Sequence, residues 1–332
     1  MANYDDELAR RAEEPTRRRR AASGQWGSTW LIVGLILGVV ALASVGCCIG
    51  MVVFAKKNIL PTEFPATNED YAAARQKFKT TLDKKGPAPQ AYDEVEPPDD
   101  VEEVTFESGD LTLRAWITAK PKEIAARQPA VLFLHGGFSF SMEDWEMARP
   151  FEEAGFVVMV PMLRGENGLP GDYSMFYDEV DDVLAAAAYL ADQPHVDPKR
   201  IYVAGHSVGG TLAMLASMTS SRFKACASFS GSTDQPRWAK AKPEYVPFDP
   251  ENAEEFRLRS PLAFPGSFKC PARLYYGNFG DDVLLKLGGD ELARKAKKAG
   301  RDVVTEEVQG DHMSMTEAAI PMAIDFFNGP KK

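Results

Sequence analysis

The stretch RIYVAGHSVGGTLAMLAS, residues 200–217, decides the fold of this chain. Its first half is typical of a buried strand and its second half of a helix. Between them Gly205, Ser207 and Gly209 form the pattern GxSxG, a sharp strand-to-helix turn that exposes a serine. Such a turn needs small neighbours, and the N–H groups of the helix N-terminus can stabilise negative charge on a substrate carbonyl. The motif therefore predicts Ser207 as a nucleophile.

A serine nucleophile needs a base, and the chain contains only four histidines. His206 adjoins the nucleophile and would project elsewhere, His195 lies in a predicted turn, and His135 opens a glycine loop far upstream. His312 follows the last predicted strand and precedes the last predicted helix, which is where the base falls in this kind of architecture. We therefore predict His312 as the general base.

The third member of such a triad is a carboxylate that orients the imidazole, and it comes between serine and base in the chain. Asp281 and Asp282 follow a predicted strand in the loop NFGDDV, and we choose Asp281 over Asp282. Asp234 is a third candidate, although an aspartate in its position is as readily a helix cap or turn residue.

An oxyanion hole requires two N–H donors. The residue after the nucleophile, Val208, should supply one of them. The glycine loop in LFLHGGFS should supply the other, from Gly137 or Phe138, because glycine lets the backbone approach a substrate closely.

From residue 101 onward, short β-type segments come first as a pair and then alternate with helical ones. This order is typical of a mostly parallel sheet with helices on both faces. The predicted strands are VEEVTF, LTLRAWI, AVLFLHG, FVVMVPM, RIYVAGH, ACASFSG, ARLYYGN and VVTEEV, and the predicted helices are 178–192, 210–220, 290–299 and 315–327.

Residues 101–328 resemble the α/β-hydrolase superfamily, in particular the catalytic domain of the prolyl oligopeptidase type and the dienelactone hydrolase and acyl esterase branches. The resemblance rests on LFLHGGF, GHSVGG, FRLRSPLAF followed by CPARLYYG, and GDHMS. It implies a mainly parallel eight-stranded sheet and a triad of Ser207, His312 and an aspartate after the seventh strand. The spacing from Gly277 to Asp281 is one residue longer than is usual in the family, which leaves Asp281 and Asp282 both open.

The N-terminal part predicts a membrane anchor. Residues 29–55 contain no charged side chain, and these 27 residues would form a helix of about 40 Å at about 1.5 Å per residue. A cleaved signal peptide is the alternative. Because arginines are concentrated before the span, the N-terminus should be cytoplasmic and the rest extracytoplasmic, in the periplasm if the source is bacterial. The predicted parts are a basic tail (1–28), a transmembrane helix (29–55), a stalk (56–100) and an α/β-hydrolase domain (101–332).

Composition excludes several other classes. A net charge of −10 makes the chain a poor partner for nucleic acid. Four cysteines without a CxxC pair give no zinc-type spacing. Cys226 and Cys270 could form a disulfide or remain buried thiols. The segment between Asp234 and Pro271 could form a lid beside the site or a surface excursion.

Together these features predict a membrane-anchored serine hydrolase that needs no cofactor or metal and cleaves a small ester or a short peptide through an acyl-enzyme. Residues 58–100 leave no room for the propeller of large oligopeptidases, so access to the site should be more open. We prefer an esterase, since the peptidase branch of the family ordinarily recognises a peptide terminus through acidic or arginine groups on domains that this chain lacks. The alternatives are a prolyl oligopeptidase-like or acylaminoacyl peptidase, and a membrane-tethered binding protein with this fold but no activity.

Overall fold

In a computed structural model of the chain, the structure describes residues 60–65, 67–120 and 126–329. Within these ranges eight strands form one sheet. All eight strands predicted from the sequence are present. They are β1 (Val101–Ser108), β2 (Leu111–Thr118), β3 (Gln128–Leu134), β4 (Val157–Pro161), β5 (Val196–His206), β6 (Phe223–Phe229), β7 (Ala272–Gly277) and β8 (Val303–Val308).

The strands lie in the order β1-β2-β4-β3-β5-β6-β7-β8. The first two form a hairpin, and β2 pairs antiparallel with β4. Every later pair is parallel, so the carboxyl ends of β3 to β8 meet at one edge. Ligand sites of open parallel sheets lie at that edge, outside the carboxyl ends of the strands.

Eight α-helices accompany the sheet in the described residues. They are α1 (Tyr71–Lys77), α2 (Met142–Glu153), α3 (Glu179–Ala191), α4 (Val208–Thr219), α5 (Gln235–Ala241), α6 (Ala253–Arg257), α7 (Asp282–Lys298) and α8 (Thr316–Asn328). Helix α7 begins eight residues before the predicted start at Asp290, and α2, α5 and α6 were not predicted. Short 3-10 helices cover Pro243–Tyr245, Pro261–Ala263 and Pro265–Ser267.

Two apolar cores lie on opposite faces of the sheet. Helices α3, α4 and α7 bury side chains such as Val183, Leu212 and Leu292 in one core. Helices α2 and α8 bury Trp145 and Phe327 in the other. Because both faces are covered, consecutive residues of the central strands are buried, as in Ala130–Leu134 of β3 and Ile201–His206 of β5.

Residues 60–65 and 67–92, here called the N-terminal strap, differ from the predicted stalk because they pack on the domain. Tyr71 is fully buried, its hydroxyl donates to the Leu258 carbonyl at 2.9 Å, and its N–H donates to Ser267 Oγ at 2.9 Å. Further along the strap, the Gly86 carbonyl accepts from the Tyr173 N–H at 2.9 Å. These contacts are made by single side chains and by backbone, so they leave no helical or strand period in the sequence.

A buried arginine ties the strap to the segment between β6 and β7. Arg259 donates to the Ser174 carbonyl at 2.9 Å, to Glu255 Oε2 at 2.5 Å and to Thr80 Oγ1 at 2.8 Å. Its side chain is fully buried, so its charge depends on these partners. The strap, the loop before α3 and the segment 234–271 therefore form one connected layer.

The predicted membrane span, residues 29–55, and the tail before it lie outside the described residues. Among the helices that the structure does describe, none combines the length and apolar character needed to cross a bilayer.

Candidate active site

Ser207 sits on a strained turn between β5 and α4. Its backbone has φ 54° and ψ −112°, a left-handed conformation that is costly for a residue with a side chain. The neighbouring glycines make the turn possible. A Cβ at Gly205 would lie 2.4 Å from the Gly209 carbonyl oxygen, and one at Gly209 would lie 2.0 Å from the Leu134 carbonyl oxygen. Both glycines of the GxSxG pattern are thus required, because a side chain at either position would collide with neighbouring backbone atoms.

His312, the predicted base, lies beside this serine. Its Nε2 lies 3.0 Å from Ser207 Oγ, and its Nδ1 lies 2.7 Å from Asp282 Oδ1. With the proton on Nδ1 donated to Asp282, Nε2 is free to accept the hydroxyl proton of Ser207. The three side chains come from different elements, each at the carboxyl edge of the sheet.

The preference for Asp281 is not supported, because Asp282 is the carboxylate that contacts His312. Asp281 is exposed and precedes the first residue of α7, whereas Asp282 is fully buried. The physical reason is the path of the loop. Gly280 adopts φ 67°, and the chain curls back until the Gly277 N–H at the end of β7 donates to Asp282 Oδ2 at 2.7 Å.

Asp234 has a different role from the one considered for it. It caps helix α5, where its side chain accepts from the Arg237 N–H at 3.3 Å. It also accepts from the N–H and hydroxyl of Thr62 in the strap, at 2.6 and 2.7 Å. The carboxylate lines the cavity beside Ser207 but makes no hydrogen bond to His312 in the described structure.

Asp282 remains charged because its surroundings supply hydrogen bonds. Burial raises the pKa of this carboxyl, but hydrogen bonds from His312, from the Ser230 hydroxyl and from the Gly277 N–H outweigh burial and hold the pKa below its usual value. Ser230, which sequence reasoning missed, follows β6 in a left-handed conformation with φ 54°. Its only sequence signal is its place directly after a strand at the ligand edge.

His206 supports the loop that carries His312. Its Nε2 donates to the His312 carbonyl oxygen at 2.8 Å, and the two rings are 4.9 Å apart. Burial lowers the pKa of His206 to about 4, so this ring is neutral near pH 7. His206 is thus hydrogen-bonded to the backbone of His312 and not to the Ser207 hydroxyl, which agrees with the expectation that its ring projects elsewhere.

The predicted donors of an oxyanion hole lie at the start of α4 and in the glycine loop after β3. Val208 begins α4, so its N–H is an unpaired donor of the first helical turn. Gly137 lines one small cavity together with Val208 and adopts φ 65°, which favours glycine. The N–H of Phe138, the other predicted donor, instead donates to Gln90 Oε1 of the strap at 2.9 Å. Because the Phe138 N–H is already hydrogen-bonded in the described structure, Gly137 remains the candidate for the second donor.

A buried ion pair fixes the start of the glycine loop. His135 Nε2 lies 2.9 Å from Glu166 Oε2, and both side chains are buried. Burial lowers the pKa of His135, but the Glu166 carboxylate raises it more, to about 9. Glu166 also accepts from the Leu163 N–H at 2.7 Å, so it joins two loops at the edge of the site.

A cavity of about 410 Å³ opens beside Ser207 and His312. Trp238, in the segment between β6 and β7, lines this cavity. This segment therefore lies beside the site, as the lid alternative predicted, and is not only a surface excursion. Leu285 of α7 lines the cavity with it. In the described structure Cys226 and Cys270 are free thiols away from this cavity.

Comparison with known proteins matches a large part of this chain. Residues 140–304 match the model of the Prolyl oligopeptidase family. The protein has the α/β-hydrolase fold, and its residues 140–304 are similar to the Prolyl oligopeptidase family. Members of this family and the acylaminoacyl peptidase relatives indicate a serine hydrolase.

Relatives of this α/β-hydrolase include two peptidases. The chain is 25% identical to the uncharacterized peptidase YtmA of Bacillus subtilis over 190 residues, which cover 51% of this chain and 70% of that protein. It is 28% identical to the acylamino-acid-releasing enzyme of Mus musculus over 222 residues, 58% of this chain and 30% of that enzyme. The chain thus spans under a third of the mouse enzyme.

Solved structures support the fold. The Pyrococcus horikoshii acylaminoacyl peptidase aligns with a TM-score of 0.57 and 22% identity, covering 69% of this chain and 41% of that one. The relatives favour a peptidase over the esterase that the sequence led us to prefer.

Proposed function

We propose that this α/β-hydrolase is a serine peptidase that releases acyl or short peptidyl groups from amides through an acyl-enzyme. The observation that carries the proposal is the continuous chain of hydrogen bonds from Ser207 through His312 to Asp282. Similarity to acylamino-acid-releasing enzymes supports an amide substrate with a blocked amino group.

The chemistry follows from the positions of the groups. His312 Nε2 takes the Ser207 proton as Oγ attacks the substrate carbonyl carbon, while the buried Asp282 stabilises the imidazolium. The N–H groups of Val208 and Gly137 stabilise the oxyanion. His312 then gives the proton to the leaving amine, and water repeats the sequence to release the acyl group.

The cavity suggests which part of a substrate it binds. Phe176, Trp238 and Leu285 give it a mainly apolar lining next to the nucleophile. An apolar acyl group or side chain would gain about 25 cal/mol for each Å² removed from water there. We therefore expect apolar acyl groups to be cleaved better than charged ones.

The test is a matched pair of substrates with the same N-acylated alanine, one a p-nitroanilide and one an ethyl ester. We expect Ser207-dependent cleavage of the anilide, and the Ser207→Ala variant should lose it by a factor of about 10³ or more. Cleavage of the ester alone would overturn the peptidase proposal. Turnover of neither, in a folded protein, would favour the non-catalytic binding protein.

We further propose that residues 29–55 anchor the domain in a membrane, with the basic residues before them on the cytoplasmic side. Support comes from the uncharged length of this stretch and from the arginines that precede it. Retention of the full chain in the membrane fraction after extraction at alkaline pH is the expected result. Release of a shorter chain would identify a cleaved signal peptide.

A further inference from the structure

The mouth of the active site carries exposed apolar side chains. Phe279 is 72% exposed, Met313 55%, Val283 48% and Leu284 45%. These values are unusual for side chains of this size, which are normally buried on folding. Among the described residues, these four make up half of the large exposed apolar side chains. They lie in two short segments, residues 279–284 and the residue that follows His312.

The two segments form one rim. Met313 directly follows His312, and His312 contacts Asp282 at the start of α7, one residue before Val283. The Asn278 side chain joins the loops directly, accepting from the Gly310 N–H at 3.1 Å and contacting Gln309 at 3.2 Å. We call Phe279, Val283, Leu284 and Met313 the apolar rim.

The rim is continuous with the reaction site. Leu284 is both exposed and part of the lining of the cavity, which Leu285 and Trp238 also line. An apolar surface therefore runs from the outside of the rim to the space beside Ser207. Leu284 thus offers an alkyl chain of a substrate an apolar contact at both the exposed rim and the cavity.

The point at which the described domain begins indicates what covers the rim. Leu60, the first described residue, is 53% exposed. Two residues later Thr62 is hydrogen-bonded to Asp234, which lines the same cavity as Leu284. In the sequence, Leu60 follows the uncharged stretch 29–55 after only four intervening residues. The chain thus enters the domain on the side of the cavity mouth, directly after a stretch suited to lipid.

We propose that the apolar rim binds the surface of a lipid bilayer, and that the enzyme acts there on acyl groups whose alkyl chains are dissolved in the membrane. The inference rests on the proposed acyl transfer at Ser207 and names the source of its substrate. Insertion of exposed aromatic and aliphatic side chains into the interface stabilises membrane contact, with a gain that grows with the apolar area buried.

The first experiment uses the full chain reconstituted in phosphatidylcholine vesicles and two anilides with the same scissile bond, N-dodecanoyl-alanine and N-acetyl-alanine p-nitroanilide. The rim variant is Phe279→Ser with Met313→Ser. The matched control is Val304→Ser with Met322→Ser, which removes two exposed apolar side chains from β8 and α8. We expect the rim variant to cleave the dodecanoyl substrate at least about tenfold more slowly, from the lost burial of two apolar side chains.

The same variant should cleave the acetyl substrate within about twofold of wild type, and the control should match wild type on both. Equal losses on both substrates would show that the rim only supports the structure of the site. No loss on either would show that the rim does not bind lipid. Either result would overturn the proposal.

A second measurement is independent of catalysis, so it separates failure of this inference from failure of the proposed function. The photoreactive p-benzoylphenylalanine replaces Phe279 in one full-length protein and Met322 in another, both in the same vesicles. Cross-linking to lipid at position 279 but not at 322 is the expected result. Cross-linking at 279 to another protein instead of lipid, or equal lipid cross-linking at both positions, would overturn the proposal.

Discussion

At the scale of single residues, the site depends on the difference between two adjacent aspartates. Asp282 accepts hydrogen bonds from His312 and from the Gly277 N–H, and it is buried. Asp281 is exposed and lines the cavity. Among the described residues its side chain makes no hydrogen bond to His312 or to the Gly277 N–H. Sequence position alone could not separate them, because the choice depends on a left-handed turn at Gly280 that returns the chain over the end of β7.

The two aspartates therefore make a matched test. Asp282→Asn should lower kcat by about 10³ to 10⁴, because an amide in place of the carboxylate favours the wrong tautomer of His312. Asp281→Asn should keep kcat within about threefold of wild type. Steady-state hydrolysis of an N-acyl anilide measures both. Equal losses in the two variants, or a larger loss for Asp281→Asn, would contradict the assignment.

The pair of His135 and Glu166 predicts a pH dependence of stability. The pKa of His135 is about 9 in the folded protein and close to its ordinary value of 6.5 when unfolded. The folded protein holds this proton more tightly, so the stabilisation is complete below about pH 6.5 and is lost as pH rises through about 9. The free energy of unfolding should fall over this window by a few kcal/mol.

Chemical denaturation at a series of pH values measures this decrease. The variant His135→Gln should be less stable at pH 6.5 and should show a flatter profile between pH 6.5 and 9. A variant profile with the same slope as wild type would mean that other groups cause the pH dependence.

At the scale of elements, the strap positions the glycine loop. Gln90 Oε1 accepts the Phe138 N–H, and the Phe138 ring packs against Trp238 with ring centroids 6.2 Å apart. Phe138 thus joins the strap and the cavity wall to the residue next to Gly137. A small displacement of this loop would move a predicted oxyanion donor.

We expect Gln90→Ala to lower kcat by about threefold to tenfold with little change in KM, because the lost hydrogen bond loosens a transition-state contact. Gln76→Ala is the matched control, since Gln76 is an exposed residue of the same strap. Gln90→Glu keeps an acceptor and should recover part of the activity. If Gln90→Ala and Gln76→Ala behave alike, the strap does not position the loop.

How much of the structure was predictable depends on whether an element has a local pattern. The strands, Ser207 and Val208 were predictable, because β-type runs and GxSxG are local patterns. His312 was predictable because only four histidines had to be compared and chain order selected one of them. The strap was not, since Tyr71 and Gln90 act through contacts more than 40 residues away in sequence. Ser230 was missed for the same reason, as its partner Asp282 is 52 residues distant.

At the scale of the whole molecule, the domain includes the strap. The described residues, from Leu60 onward, form one compact unit. The fully buried Arg259 depends on Thr80 of the strap for one of its hydrogen bonds. Removal of the strap would expose the surface that Tyr71 covers, including the Leu258 carbonyl. It would also leave the Arg259 guanidinium with fewer hydrogen-bond partners.

A chain of residues 58–332 should therefore unfold cooperatively, whereas a chain of residues 101–332 should be destabilised by more than about 3 kcal/mol or should aggregate. Thermal and chemical unfolding followed by circular dichroism measures the difference. Equal stability of the two chains would restore the interpretation of residues 56–100 as a stalk.

The most direct test of the account is covalent labelling of the folded protein with a fluorophosphonate, followed by peptide mass mapping. A triad-activated Ser207 predicts one adduct, on Ser207, at a rate that falls by at least about 10²-fold in His312→Ala. Absence of an adduct, an adduct on another serine, or labelling of Ser207 that does not depend on His312 would contradict it.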